Sequence, residues 1–263
     1  MKDRILEHYD ALAVRRLLDE VGVLSHLRQR GFSHFEVFTD VPDYGLPHIR
    51  LFADKQKQRF LLLDACLIEA VVRPAFLRAR GHPADGPVRL ALLYWVREED
   101  PTATFSAERP PLPLQKHPGL GVMRRAFQVV TRMAREQGMD GVACTPKFFH
   151  DAVLFFRSRL FLFLDWNEQG RLEALIRDLQ NLSLGVASIA LSAGAVRDQA
   201  GAVVPWSPGY QVFPISETLI DYFHSERYAA EVGDSLQHCR LTCDGEALAR
   251  ARALVESATA EVP

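Results

Sequence analysis

Residues 116–161 read KHPGLGVMRRAFQVVTRMAREQGMDGVACTPKFFHDAVLFFRSRLF, and the order of elements in this stretch decides the fold. A proline-glycine turn precedes a run in which Ala126, Phe127, Val130, Met133 and Ala134 recur at helical spacing, predicting a helix over 121–137 that Gly138 ends. The apolar segment 141–145 reads as a strand, Pro146 starts a turn, 148–159 read as an aromatic helix, and 161–164 as another strand. A helix between two apolar strands is the pattern of a right-handed parallel crossover. Gly119 and Gly121 lie where the first helix begins. Glycines there leave backbone N–H groups unpaired and unshielded, which suits the turn to a phosphate or pyrophosphate.

Upstream, apolar residues recur at helical spacing from Ile5 to Leu27, with Gly22 and Gly31 as stops, so two short helices are expected over 3–30. Phe35 to Phe38 alternates like a strand, and 48–53, a polar turn at 54–57, and 59–72 read as a meander. Residues 89–96 form a further strand. The segment 97–115, polar and then proline-rich (ERPPLPLQ), is expected to be extended. Beyond Gly170 the character changes: 171–182, 183–194 and 217–228 read as helices, 203–213 as strand, and 245–258 as a helix begun by Asp244. The domain expectation is a core over 1–168 and a mostly helical extension over 169–263 packed on it.

The 263 residues can bury a core large enough to fold without staples. Cys66, Cys144, Cys239 and Cys243 are scattered, and the first two sit in apolar runs where a thiol acts as a small hydrophobe. Lys and Arg total 31 against 33 Asp and Glu, a formal charge of −2, so no global positive field argues for nucleic acid as a partner. The N-terminal stretch is charged throughout and unlike a secretory signal, and the weakly polar stretch 182–196 is too short to span a bilayer and reads as a buried helix. A reduced, cytoplasmic setting without membrane contact is expected.

The order of two helices, an antiparallel meander, a long helix opened by a glycine turn, then strand, helix and strand resembles the GNAT acyltransferase fold over roughly 5–165. This is an α/β (α+β) architecture with a mixed central sheet flanked by helices. Lys116-His117-Pro118-Gly119-Leu120-Gly121 looks like the family's Gln/Arg-x-x-Gly-x-Gly/Ala pyrophosphate loop, and Ala152 to Phe161 like its Ala-x-x-x-Tyr-x-x-x-Gly-Phe helix and turn. The resemblance implies that Lys116, His117, Gly119, Leu120, Gly121 and Val122 bind coenzyme A. The amides of Leu120, Gly121 and Val122 would hold its pyrophosphate, and acetyl-CoA or another acyl-CoA would be the co-substrate. It also implies a thioester between the strands at 89–96 and 141–145, which diverge in this fold. Three positions depart from the family: Lys116 stands where Gln or Arg is usual, keeping a donor and a positive charge near phosphate, Phe156 stands where a Tyr commonly protonates the leaving thiolate, and Leu160 replaces the glycine of the Gly-Phe pair.

Acyl transfer to an amine needs a base for the ammonium proton, donors for the oxyanion and an acid for the thiolate. Glu69, Glu98 and His150 are the catalytic candidates, with Glu99, Tyr94 and His117 behind them. Glu69 interrupts an apolar strand, where a carboxyl either titrates high, faces a cleft, or simply lies on a solvated face. Glu98 and Glu99 follow the strand expected beside the thioester, although Arg-Glu-Glu-Asp also reads as a solvated strand end. His150 combines a suitable titration range with a helix start, and equally suits a structural role. Tyr94 reads as packing, and so do the pairs Phe148-Phe149 and Phe155-Phe156, which otherwise would line an acyl pocket. Cys239-x-x-x-Cys243 with His238 lacks a second ligand pair, so no metal is expected. Three readings follow: an N-acyltransferase acting by direct attack on a small-molecule or peptide amine, with a possible homodimer; a catalytically silent acyl-CoA-binding or protein-interaction module; and an unrelated α/β protein whose helix start binds another phosphate.

Overall fold

The computed structural model describes residues 4–41, 45–83, 85–106, 111–112, 115–157, 161–206, 208–250 and 253. Leu160, most of the proline-rich run at 107–114 and the end of the C-terminal helix expected to reach 258 lie outside the described residues. The fold is mixed α/β: among the described residues, seven strands form one mostly antiparallel sheet and ten helices accompany it. The strand order is β1-β2-β3-β4-β5-β8-β6, with β1 at Ser33–Asp40, β2 at His48–Lys55, β3 at Gln58–Val72, β4 at Val88–Glu98, β5 at Gly141–Cys144, β6 at Leu162–Phe163 and β8 at Gln211–Pro214. A separate two-stranded ribbon pairs β7, Val196–Arg197, with β9, Thr242–Cys243. The residue contacts divide the chain into two units: 1–109 with 116–144 and 213–220, and 110–115 with 145–212 and 221–263. The boundary expected near 168–170 falls inside the second unit.

In the first unit, β1 to β4 form the expected antiparallel meander. Gln56 and Lys57 both take left-handed backbone, closing a two-residue hairpin between the paired residues Lys55 and Gln58. Helix α1 spans Ala11–Glu20, α2 Val23–Gln29, α3 Pro74–Ala79 and α4 Met123–Glu136. The first expected helix begins later than its periodicity suggests. Leu6 and Glu7 adopt positive φ in a tight turn between Ile5 and Tyr9, and the Asp10 side chain caps α1 by accepting from the Ala13 N–H at 2.8 Å. The α3 turn was not anticipated from the sequence.

The parallel pairing lies one crossover earlier than expected. β4 and β5, connected through α4, are the parallel pair, from Leu90↔Gly141 to Leu93↔Cys144, whereas β6 pairs antiparallel with β8. β5 is buried throughout, as a parallel strand covered on both faces must be. Gly141 is there because a Cβ would come within 2.8 Å of the Phe213 carbonyl. Asp140 fixes the entry to β5: its Oδ2 accepts from the Arg89 N–H at 2.7 Å and its carbonyl accepts from Ile215 and Ser216.

The second unit contains α5 at Phe149–Arg157, α6 at Trp166–Asp178, α7 at Leu184–Ser192, α9 at Glu226–His238 and a helix opening at 245–250. The helix expected over 217–228 is two helices, α8 at Glu217–His224 and α9, because Ser225 breaks the first and caps the second through the Tyr228 N–H. The strand expected over 203–213 shrinks to an isolated bridge at Val203 and to β8, since Pro205 and Pro208 donate nothing to a ladder. A core of Phe149, Val153, Phe163, Leu172, Leu175, Leu191 and smaller neighbours holds this unit. Helices α6 and α9 approach so closely at Gly170 that a Cβ would lie 2.6 Å from that of Ser235. Tyr222 and Tyr228 donate their hydroxyls to the carbonyls of Leu164 and Phe163, at 2.8 and 2.6 Å.

Candidate functional site

The glycine turn is held from three directions within the first unit. Leu120 and Val122 are buried and anchor the turn, while Gly121 between them is exposed with a φ of +75°, a conformation glycine adopts without the strain a Cβ brings. The Leu120 carbonyl accepts from Arg30 Nη1 at 2.6 Å and lies 3.1 Å from His26 Nε2, both at the end of α2. The Pro118 carbonyl accepts from the Asp100 N–H at 2.8 Å. Arg30 also pairs with Asp100 through Nη2 at 2.7 Å, and the Asp100 side chain is only 3% exposed. Burial works against that carboxylate, but the Thr102 hydroxyl and amide, with Arg30 and Lys55, outweigh it and hold the Asp100 pKa below its ordinary value. Lys55 in turn reaches the Thr102 hydroxyl at 2.8 Å.

With those carbonyls occupied, the amides of the turn meet an anion: the side chain of Glu98, from the end of β4. Val122 N–H donates to Glu98 Oε2 at 3.3 Å, the Gly121 amide acts on the same carboxylate, and a Cβ on Gly119 would come within 3.3 Å of Oε1. Glu98 is thus the group the turn's amides stabilise. Burial nonetheless dominates its titration and pushes its pKa up to about 7, against the opposing pull of the Val122 and Gly121 amides and Arg30. Sequence reasoning treated the turn and Glu98 as parts of different functions, and the fold brings them together. Lys116 is exposed and His117 half-buried on the approach to the turn.

The register between β4 and β5 ends at Leu93↔Cys144, while β4 continues through Tyr94 to Glu98. Along Trp95–Glu98 one edge of β4 pairs with β3, the register skipping Tyr94 between Cys66↔Trp95 and Leu67↔Leu93, and no residue of β5 is in register with the other edge. Tyr94, expected as packing, is 54% exposed and opens this segment.

Glu69 lies apart from the turn as a partner of Arg89, whose Nε and Nη2 reach its two oxygens at 2.8 and 3.1 Å. The guanidinium holds its pKa below the ordinary value, so it stays ionised and poorly suited to taking up a proton. Glu99 is half-buried beyond the end of β4, its N–H donating to the Leu62 carbonyl.

His150, in the second unit, is buried. Its Nδ1 lies 2.9 Å from Ser188 Oγ, its Nε2 lies 3.3 Å from Asp151 Oδ1, and its ring stacks on Phe148. Burial lowers the His150 pKa and raises that of Asp151, so each is biased toward its neutral form. A Ser-His-Asp grouping suggests nucleophilic chemistry, but Ser188 has no exposed surface, and a nucleophile out of reach of substrate only packs. Phe149 and Phe156 belong to the surrounding core, Phe156 partly buried. Cys239 ends α9 and Cys243 lies in β9; among the described residues no three His, Cys, Asp or Glu side chains cluster as metal ligands, and no helix is long and apolar enough to cross a membrane.

His26, Arg30, Asp100 and Thr102 escaped the sequence reading. The available signal was strand alternation, which puts Glu98 and Asp100 on one face of a continuing strand and separates them from Arg97 and Glu99. Another pair passed over is His48 and Asp64, on neighbouring strands of the meander. Both are buried, with Nδ1 and Oδ1 2.8 Å apart and the imidazole edge-on to Trp95. No family model matches this chain, and neither a characterised protein nor a solved structure matches it.

Proposed function

We propose that this chain is an acyl-CoA-dependent N-acyltransferase of GNAT type, passing an acetyl or related acyl group from the thioester to an amine by direct attack. One observation carries the reading: between the parallel strands β4 and β5, a glycine turn at the start of α4 directs its amides at an anionic group. Donors arranged this way suit a pyrophosphate, and Lys116 and His117 add cationic or donor capacity beside it. The thioester then lies along the β4 edge from Tyr94 to Glu98. The amine nitrogen attacks the thioester carbonyl carbon, the oxyanion collapses, the carbon–sulfur bond breaks, and the thiolate leaves with its electron pair and takes a proton. Glu98 holds the turn's amides, at the pyrophosphate end of the site, so the ammonium proton passes to solvent. With Phe156 unable to donate, we assign protonation of the thiolate to the exposed Tyr94 hydroxyl.

Glu98 on the turn's amides and Phe156 in place of a phenol together favour a second reading, an acyl-CoA-binding module without turnover. Calorimetry with acetyl-CoA tests what the two share. Wild type binds, and Gly121→Asp, which adds a side chain and a negative charge at the exposed apex, abolishes binding while the protein stays folded. Absence of binding by wild type sinks both. Release of free coenzyme A on adding an amine then separates the enzyme from the silent module.

A further inference from the structure

We infer that Glu98 is an internal anion that closes the glycine turn, so that an acyl-CoA pyrophosphate must displace its carboxylate before the turn can bind. This rests on the acyl-CoA reading and deepens it by identifying what controls access to that site. The geometry is direct. Val122 N–H already donates to Glu98 Oε2 at 3.3 Å, and the Oε1 oxygen lies so close to Gly119 that a Cβ there would be 3.3 Å away. A phosphate oxygen seeking the same amides meets a negative charge at hydrogen-bond range. Two anions cannot share one set of donors at this range without repulsion.

The charge on Glu98 therefore sets how much of the protein is ready to bind. Its pKa of about 7 makes the ionised, closed form dominate above neutrality and the protonated form below it. Among the described residues, the charged groups around it come from several elements, beginning with its chain neighbours Arg97 and Glu99. Arg30 and His26 face the turn from α2, Asp100 follows β4 and is tied to Arg30, Lys55 of β2 acts on Asp100, and Lys116 and His117 precede the glycines. On β3 the cross-strand partner is Leu63, which does not titrate. Asp100 is held ionised by the Thr102 hydroxyl and amide with Arg30 and Lys55. Replacing Glu98 alone isolates its share.

The test is acetyl-CoA affinity from pH 6 to pH 9 for wild type and Glu98→Gln, which keeps the shape and removes the charge. Apparent affinity scales with the fraction of competent protein, so the ratio of wild-type to variant Kd should be near one at pH 6 and rise to about tenfold at pH 8 and about a hundredfold at pH 9. Titration of the coenzyme's phosphates is common to both proteins and cancels in the ratio. Equal affinities at every pH would overturn the closure and leave the acyl-CoA reading intact, whereas absence of binding by both proteins would remove both. A second measurement needs no variant: in ligand-free wild type, the Val122 and Gly121 amide resonances should titrate with a midpoint near neutral pH. Amides that stay flat across that range would show that Glu98 does not govern the turn.

Discussion

Helices α4 and α5 both begin against a carboxylate, but the carboxylates come from different distances along the chain. At α5 the anion is local: Asp151 Oδ2 accepts from the Phe148 N–H three residues earlier, at 3.1 Å, and is part of the helix it caps. At α4 the anion is Glu98, 24 residues before the amide it accepts from, at the end of a strand. A local cap moves with its helix and stays beside the amide it caps. A cap delivered by another element can leave, and a helix start capped in that way is a site whose occupant can be exchanged. Burial raises the pKa of both carboxyls, but only Glu98 stands on a turn with an exposed glycine apex.

The sharpest break in this comparison is the pH dependence of stability. The folded-state pKa of Glu98, about 7, exceeds its ordinary 4.5, so the folded protein binds this proton more tightly than the unfolded chain. Its contribution is therefore most favourable at low pH and is lost as pH rises from 4.5 through 7, by up to about 3 kcal/mol. Urea unfolding of Glu98→Gln should lack this decline and show a more stable protein at pH 8. A decline unchanged in the variant would show that the carboxylate at α4 is not the group behind it.

Next in size is Arg30→Met, which strips the nearly buried Asp100 of its guanidinium partner and releases the Leu120 carbonyl; a loss of about 1.5–3 kcal/mol is expected in the same measurement. At the α5 end, His150→Leu leaves the Ser188 hydroxyl without its imidazole, for about 1–3 kcal/mol, and adding Ser188→Ala should recover part of it. If the double variant recovers nothing, the imidazole is held by something other than that hydroxyl. Smallest is Asp151→Ala, loss of a local cap at about 1 kcal/mol by thermal or urea unfolding.

Much of the scaffold was legible because it is written in short-range pattern. Hydrophobic alternation located the meander, periodicity located α4, and Gly138, with positive φ, ended it as expected. Misreadings came where local chemistry overrode periodicity, as at the positive-φ turn before Asp10 and at Ser225, where capping split one apolar helix into two. The Arg-Glu-Glu-Asp run resembled an ordinary solvated strand end. Only the approach of α2 and the turn converts Asp100 into a buried partner of Arg30 and Glu98 into a cap.

By itself the sequence determined that 119–122 would be a glycine turn opening a helix between two strands, because glycine conformational freedom and apolar spacing act within a few residues. Tertiary structure alone decided that those strands pair in parallel, that Glu69 meets Arg89 and that His150 is sealed against Ser188. It also decided what the turn's amides hold. Partners separated by tens of residues are chosen by how β4, α2 and α4 pack, and a buried carboxylate's titration depends on the solvent those elements exclude, a quantity with no local signature in the chain.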